Sequence, residues 1–536
     1  MRLKILVVML AATLTAMAQN EAPEKRSLSL QDCIAIALDN NFDIQISRYN
    51  PMIAGYNLSG IYGVYEPVLS FSGEHDYSLS PGGVDEQGRP FTGTETETDR
   101  LNGGISGLLP WGLTYTLGGS MANQDITRTS FVIDPSSGSP VTNSFVDINS
   151  GNTISYVTTN FNATIGQRSS FEVTSGSLGF LELRQPLLKN FWIDGTRLSI
   201  SISKSALKRS EADFRDQVMD TITGVENAYL ELIHADENVK VQQKALELAE
   251  RSLSENKRRV EVGALAPLDE KQAESQVASS RADLLNAQAN RETLERVLKD
   301  LLSDDYTNEW ATVTITPMDK LIAVPQRYDL QESWRRGLAH GPLYKVQQTR
   351  LSLDEQKQRV RYQRNQLFPQ LDAVGTYGFS GTGQEYGDAL NQINRGENPF
   401  WSFGAQLSIP LGQTSARNNL KAAKATQEQL ELVLKQGEQK TLVLIENDIA
   451  NARSSFERVD ATRQARLYAE AALEAEQKKL ENGKSTSFVV LQLQRDLTNA
   501  RSAEIRALAD YNIALSRLAF HEGSTLDRRK VNLEIK

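Results

Sequence analysis

The stretch RVEVGALAPLDE at residues 259–270 has a counterpart 220 positions later, KLENGKSTSFVV at residues 479–490. In each stretch a glycine, Gly263 or Gly483, lies between two long segments rich in Ala, Leu, Glu, Gln, Lys and Arg. Such segments favour helices, and a glycine is a common helix terminator because it adopts the left-handed backbone. Pro267 suits the first turn of a returning helix. The sequence therefore predicts two long helical hairpins, each with its tip at one of these glycines.

The two halves of the chain repeat each other beyond these tips. The predicted hairpins cover residues 196–302 and 412–520, and the offset of 220 aligns further similar residues along them. The aligned pairs are Val260 with Leu480, Gln272 with Gln492, Arg281 with Arg501, Ala287 with Ala507, and Leu298 with Leu518. We expect a first repeat over residues 19–303, a linker at 304–327, a second repeat over 328–523 and a tail at 524–536.

Each repeat is also predicted to carry short helices and a pair of strands ahead of its hairpin. The first short helix breaks at Asn40-Asn41 in one repeat and at Gly341-Pro342 in the other. The strand pair of the second repeat lies within residues 369–410. In the first repeat the two strands are separated by an insert at 72–176, which is far longer than an ordinary loop.

The insert has two parts. Residues 104–117 predict a strand hairpin with its turn at Pro110-Trp111-Gly112, and Asp125 to Ser170 is interpreted as a polar surface loop. The hairpin either caps an opening or adds two strands per chain to the sheet, and the sequence leaves both alternatives open.

The strands alternate in polarity. In WSFGAQLSI at residues 401–409, odd positions are apolar and even positions are small or polar, and the same alternation occurs in 69–77 and 371–379. Such strands suit a transmembrane β-barrel with an apolar outer face and a wet lumen, although a soluble sandwich produces the same pattern. The aromatic residues at strand ends favour the barrel. The residues predicted to face the membrane are Leu69, Phe71, Tyr377, Phe379, Trp401, Phe403 and Leu407.

The amino terminus has the pattern of a cleaved export signal over residues 1–18. Arg2 and Lys4 precede an apolar stretch, and Ala16-Met17-Ala18 forms a small-x-small cleavage site. Gln19 follows where a lipoprotein would need cysteine, so we predict no lipid anchor. Removing the signal changes the net charge from -9 to -11, and an acidic chain without basic blocks is a poor nucleic-acid binder.

The chain is predicted to be neither an enzyme nor a metal protein. Its single cysteine, Cys33, excludes an internal disulfide and is interpreted as a small buried residue. His75 lies between Glu74 and Asp76, but on a strand it would point away from both. No catalytic, cofactor or metal-binding pattern is found in the sequence.

Four strands per chain cannot close a barrel, and an open sheet edge is not tolerated in lipid, so the barrel must be shared between copies. With its duplicated order of strands and long hairpins, the chain resembles the outer-membrane efflux protein family (the TolC family) from Leu28 to about Gly523. The resemblance implies an α+β membrane protein in which three chains share a transmembrane barrel of about four strands each. A long periplasmic α-helical barrel would continue it.

The resemblance also gives the hairpin tips a role. In this family they contact a periplasmic adaptor and form a gate, which implies that role for Val262, Gly263, Ala264 and Leu265 and for Asn482, Gly483, Lys484 and Ser485. Asp269 matches a family position that takes part in locking the gate. The second repeat departs from the pattern, because Ser485, Val489 and Gln492 replace an arginine and two aspartates. The gate candidates are Asp269, Lys484, Phe488, Val489 and Gln492.

Two functions are weighed. The first is a passive export duct, a homotrimer in the Gram-negative outer membrane that would receive solutes or proteins from a periplasmic adaptor and an inner-membrane transporter, in an efflux or type I secretion system. The second is a structural or adhesive surface protein with a coiled-coil stalk. A stalk needs a continuous apolar seam between its helices, whereas a duct needs small polar residues along one face of every strand.

Overall fold

The computed structural model describes residues 25–84, 88–133, 138–146, 153–160, 163–263, 265–342 and 345–533. The predicted signal peptide therefore lies outside the described residues. Contacts divide the chain into two units. The first contains the described residues among 1–55, 205–353 and 429–536 and is mainly helical, and the second contains those among 56–204 and 354–428 and includes the main sheet.

The helices alternate in length, with short ones ahead of each long pair. They are α1 (Leu30–Asn40), α2 (Phe42–Tyr62), α3 (Gly195–Glu261), α4 (Pro267–Leu302), α5 (Leu330–His340), α6 (Val346–Asn365), α7 (Tyr386–Arg395), α8 (Thr414–Glu481), α9 (Ser487–Glu522) and α10 (Thr525–Arg529). Single turns of 3-10 and π helix cover Gly63–Tyr65 and Tyr306–Trp310.

The strands are β1 (Lys25–Leu28), β2 (Val68–Leu79), β3 (Gly83–Val84), β4 (Pro90–Phe91), β5 (Glu95–Leu108), β6 (Thr114–Ile133), β7 (Ser139–Val146), β8 (Thr153–Asn160), β9 (Ala163–Pro186), β10 (Thr314–Pro317), β11 (Gln370–Gly383) and β12 (Pro399–Ser408). Among the described residues, no helix combines the length and the apolar character needed to cross a bilayer.

The core of the first unit lies where α1, α3 and α4 meet. Tyr229, Leu298 and Leu302 are fully buried there, and the Tyr229 hydroxyl donates to the carbonyl oxygen of Leu28 at 2.9 Å. The parallel pair β1–β10 covers this core. Cys33 is buried in the same cluster, as predicted, and burial raises the pKa of its thiol to about 12.

The main sheet of the second unit has six strands in the order β12-β11-β9-β6-β5-β2, all antiparallel. The prediction of about four strands per chain is therefore wrong, and the open alternative in which the insert adds two strands is the one observed. The turn between β5 and β6 lies at the predicted place, where Gly112 has φ +90°. The added pair fits between β2 and β9 because it carries the same alternation of small polar and apolar residues.

The insert also contradicts the interpretation of Asp125 to Ser170 as a surface loop. β6 continues to Ile133 and β9 begins at Ala163, so much of this segment pairs as sheet, and β7 and β8 form a further two-stranded hairpin. Polar composition alone suggested a loop, but Thr, Ser and Asn side chains are accepted in strands with solvated faces. The length of the strands is set by pairing with neighbours.

Candidate functional site

The first helical tip is a tight turn built around Gly263. Its φ of +76° places it in the left-handed region, and its amide donates to the carbonyl oxygen of Val260 at 2.9 Å. Asp269 accepts from the backbone N–H of Ala266 at 3.1 Å, and it therefore caps the start of α4. Among the predicted tip residues Val262 is 79% exposed, and Ala264 lies outside the described residues.

The second tip has the same backbone and a different set of side-chain contacts. Gly483 has φ +71°, and the side chain of Asn482 donates to the carbonyl oxygen of Lys478 at 2.7 Å. The Ser485 hydroxyl donates to Glu476 at 2.6 Å. Lys479 and Ser485 both hydrogen-bond this carboxylate and lower the pKa of Glu476. The tip is thus fixed to its own helix by short-range polar contacts.

The predicted gate residues lie together on the exposed side of the start of α9. Phe488 is 51% exposed and Val489 is 37% exposed, and Gln492 follows one turn later, also exposed. Lys484 is exposed as well, and within the described part of this single chain it forms no ion pair with Asp269. The structure brings Phe488, Val489 and Gln492 to one surface, whereas the role of Asp269 within one chain is to cap a helix.

A pair of buried polar residues near the tips was not predicted. Asn256 of α3 and Ser487 of α9 are 4% and 3% exposed, and the amide of Asn256 donates to the Ser487 hydroxyl at 2.5 Å. About two turns further along α9, the side chain of Gln494 donates to Ser252 at 2.9 Å. These contacts join the hairpin of the first repeat to that of the second. The signal available in the sequence was a polar residue at an otherwise apolar helical position.

In the second unit, the sheet has one apolar face. The predicted membrane-facing residues all lie on it, because they occupy odd positions of β2, β11 and β12 that the strand register places in line. A row of six large apolar residues crosses the whole sheet. Its members are Leu69, Ile105, Leu117, Leu181, Tyr377 and Trp401. The rings of Trp401 and Phe403 stack at 5.7 Å between centroids.

The opposite face of the sheet is polar. Neighbouring strands are bridged there by small side chains, such as Thr376 to Ser402 at 2.6 Å and Ser120 to Ser177 at 3.0 Å. Arg184 donates to the buried carboxylate of Asp372 at 2.9 Å and 2.5 Å. The polar side chains on this face are thus held by hydrogen bonds and an ion pair between strands.

The prediction that His75 points away from Glu74 and Asp76 is confirmed. His75 contacts Asp99 of β5 at 2.8 Å on one face of the sheet, while Asp76 accepts from Arg100 at 2.6 Å on the other. Among the described residues, no group of three or more His, Cys, Asp and Glu side chains is placed to hold a metal ion.

The chain belongs to the family described as "Outer membrane efflux protein", whose model matches residues 169–303 and 344–524. These matches include both long hairpins. The outer membrane protein TolC of Escherichia coli (strain K12) is 23% identical over 336 residues, which cover 60% of this chain and 64% of TolC. The chain thus spans slightly less than two thirds of the length of this relative.

Solved channel structures share the fold. The CmeC outer membrane channel of Campylobacter jejuni matches with a TM-score of 0.61 at 16% identity, covering 94% of this chain and 90% of CmeC. The open state of the MtrE outer membrane channel of Neisseria gonorrhoeae matches with a TM-score of 0.60 at 16% identity, covering 93% and 89%. The structure therefore has a TolC-like channel fold, with mixed helix and sheet.

Proposed function

We propose that this protein is a passive export duct of the outer membrane, formed by three copies of the chain. The observation that carries the proposal is the sheet with two different faces. Along β11 the apolar face runs from Leu371 to Gly381, a distance of ten residue steps. At about 3.4 Å per residue and a tilt of about 40°, this length corresponds to roughly 26 Å, which matches the apolar band of an outer-membrane barrel.

The two faces predict which side meets lipid and which meets solute. The face with Leu69, Phe71, Tyr377, Phe379, Trp401, Phe403 and Leu407 would contact outer-membrane lipid. The face with Thr376 and Ser402 would line a wet lumen. A duct of this kind needs no catalytic group or cofactor, because the energy for transport comes from its inner-membrane partner.

The competing hypothesis of a coiled-coil stalk requires a continuous apolar seam between helices. Apolar contacts between α3 and α9, such as that of Leu248, are instead interrupted by polar pairs, including Asn256 with Ser487 and Asn238 with Ser502 at 2.9 Å. This seam weighs against a stalk and supports a bundle whose hairpins can separate.

Conductance across a planar bilayer tests the proposed function. Purified protein should insert as channels whose current varies linearly with voltage once the gate is open. The cross-linked and gate variants described below provide internal controls for insertion. Protein that reconstitutes into vesicles but gives no channels at any voltage or pH would refute the duct.

The tips are the proposed contact with a periplasmic adaptor, whose own partner is an inner-membrane transporter. The residues assigned to this contact are Val262, Gly263, Ala264, Leu265, Asn482, Gly483, Lys484 and Ser485. In the same proposal the chain is exported by its cleaved signal, carries no lipid, and extends its helices into the periplasm. Cross-linking from Val262 to a co-expressed adaptor tests the assignment, with the buried Ala273 as a control position that should give no product.

The gate is proposed to form between neighbouring copies. Asp269 of one copy would face Lys484 of the next, and such exposed pairs contribute at most about 1 kcal/mol each, reduced by salt. The substitution Lys484→Glu should raise open-channel conductance most at low ionic strength, whereas Lys478→Glu, with the same charge change on an exposed side chain, should not. Gln492→Asp should favour cations without opening the pore.

If Lys484→Glu leaves conductance unchanged at low salt, the charged gate is wrong. In that case the exposed Phe488 and Val489 would provide the constriction by dewetting. The substitution Phe488→Ser should then open the channel at every salt concentration, which separates the two gates.

A further inference from the structure

The six-stranded sheet ends in two strands that have only one neighbour each among the described residues, β2 and β12. Because the six strands are joined by five antiparallel pairings, β2 and β12 run in opposite directions. If a second copy is placed beside the first, its β2 is therefore antiparallel to the β12 it meets. The edge of one copy fits the opposite edge of the next, and such a contact closes a ring if the rotation is right.

The sheet also has the stagger that a closed barrel requires. The row that begins at Val68 on β2 crosses the sheet and reaches Ser402 on β12, and β12 continues six residues further to Ser408. Six residues of shift over six strands correspond to a strand tilt of about 35°, within the range of closed barrels. At this end of the sheet, the four strands between β2 and β12 extend past the row by a number of residues that increases from β5 to β11.

We propose that β2 of each copy pairs with β12 of the next, with Val68 opposite Ser408, so that three copies build a barrel of eighteen strands. The inference rests on the proposed assembly of three copies, and it adds the edges, the register and the strand number. This register brings the start of β2 level with the end of β12, which lies at the same end of the sheet. Rotation then repeats the same pairing at all three junctions.

This register matches the side chains of the two edges. On the apolar face Leu69 would lie opposite Leu407, and Phe71 opposite Ala405. Gly73 would lie opposite Phe403, so each large ring meets a small partner. Phe71 and Phe403 are 79% and 82% exposed in the single chain, more than the aromatic residues of the central strands. A slip by one residue would move every side chain to the wrong face.

The strand number has a consequence for the bore. The resemblance to the family implies twelve strands for three chains of four, whereas six strands per chain give eighteen. At a spacing of about 4.8 Å and a tilt of about 35°, the backbone diameter rises from roughly 22 Å to roughly 34 Å. The β5–β6 hairpin is then part of the channel wall and does not cap it. Barrels of this size leave an aqueous passage that side chains do not fill.

Cysteine pairs test the register directly, in a Cys33→Ala background that removes the only native thiol. One double variant carries Ser70→Cys with Gln406→Cys, and another carries Phe71→Cys with Ala405→Cys. The two pairs lie on opposite faces and therefore belong to different hydrogen-bonding classes, of which one suits a disulfide. On oxidation in membranes, at least one variant should run in denaturing gels as a species of three chains.

Two controls define the outcome. Thr376→Cys with Ser402→Cys joins neighbouring strands within one chain and should form a disulfide without any gain in mass. Ser70→Cys with Ser402→Cys is four residues out of register and should not link chains. If the out-of-register pair links chains, or if the controls oxidise while neither test pair gives three chains, the proposed pairing is wrong.

The bore is measured separately by polymer exclusion. Polyethylene glycols added on the side of the strand loops should enter the barrel up to a diameter about 1.5-fold larger than expected for twelve strands, and an exclusion limit at the twelve-strand value would overturn the strand number. Cross-linking does not depend on conductance. Linked chains without channels would refute the proposed duct, whereas channels without correctly linked chains would refute this pairing.

Discussion

Two of the seams of helix α9, with α8 and with α3, differ in the kinds of side chain that form them. Against α8, the other helix of its own hairpin, it packs apolar residues in three clusters. Against α3, from the hairpin of the first repeat, its contacts include a series of hydrogen bonds and one ion pair. Both seams involve the same helix and lie in the same unit of the chain. The contrast between them therefore depends on the partner helix, α8 or α3.

The seam with α8 resembles the core of a soluble protein. Leu473 of α8 packs with Val490 and Leu497 of α9 near the tip, with Leu248 of α3 at the edge of the cluster. Tyr511 is 1% exposed further along α9, and its ring lies 5.4 Å from that of Phe456. Burial of this kind is cooperative and insensitive to salt.

The seam with α3 contains a series of separate polar contacts. Asn256–Ser487, Ser252–Gln494 and Asn238–Ser502 are neutral pairs. Arg506 then donates to Glu231 at 2.8 Å and 3.0 Å, and Ser516 donates to the buried Glu226. Each of the neutral pairs can be exchanged for water at small net cost once the seam opens. The difference teaches that each hairpin is a stable body, while the junction between hairpins can be remade.

The largest effect is expected at Glu226, where the polar seam is most buried. Glu226 is 1% exposed and accepts from Ser516 and from Arg529. Replacing it by alanine leaves the guanidinium of Arg529 without its partner, and we expect a loss of about 4 kcal/mol in the free energy of unfolding. This loss is measured by chemical denaturation in detergent, with unfolding followed by circular dichroism. In the double variant that also carries Arg529→Met, most of the loss should disappear. An equal loss in the single and double variants would show that the unpaired guanidinium is not its cause.

A somewhat smaller loss is expected in the apolar seam. Leu497 is 5% exposed in the cluster near the tip, so Leu497→Ala should cost about 3 kcal/mol through lost burial and the cavity that it leaves. The matched control is Leu432→Ala on α8, where the side chain is 70% exposed. The difference between the two should not depend on salt. A cost at Leu497 as small as at Leu432 would mean that this seam does not hold the hairpin together.

A smaller effect on stability, with a larger one on the channel, is expected from Asn256→Ala. The variant loses one hydrogen bond to Ser487, which should cost about 1 kcal/mol. Because the contact joins the two hairpins near their tips, channel openings should become more frequent in a planar bilayer. Asn482→Ala removes a bond within one helix end and is the control. If the channel opens equally often in both variants, the contact between the hairpins has no special role in keeping it closed.

The smallest effect concerns pH and another polar contact between repeats. Asp216 of α3 accepts from Gln348 of α6 at 2.7 Å, and Asp213, Lys345 and Arg215 are its charged neighbours. Burial raises the pKa of Asp216 from 3.8 to about 6. An acid with a raised pKa stabilises the fold below about pH 4, and this contribution is lost as pH rises through 6.

Asp216→Asn should therefore flatten the fall in stability between pH 4 and pH 6 and raise the thermal unfolding midpoint at pH 7 by a few degrees. The exposed Asp354→Asn on α6 should leave the pH profile unchanged. A profile that is steeper in Asp216→Asn than in the parent protein would show that the carboxylate is favoured in its charged form.

Much of the fold could be predicted because its signals are local. Gly263 and Gly483 end helices through their own backbone conformation, and the composition on both sides of them favours helix whatever the partner. The alternation in β11 and β12 assigned Tyr377, Trp401 and Phe403 to one face, since side chains in a strand alternate at every residue. These properties belong to a few neighbouring residues, so the sequence by itself determined them.

Other features were decided only by the tertiary structure. The six-stranded sheet, helix α7 and the strands within residues 125–170 depend on which segments pair, and polar alternating segments fit several neighbours about equally well. The hydrogen-bond and ion-pair partners of Asp269, Glu226 and Asn256 likewise could not be predicted from the sequence. A hydrogen bond or an ion pair forms with whichever group the folded backbone brings within reach, and residues such as Asn256 and Ser487, 231 positions apart in the sequence, meet only after both hairpins have packed.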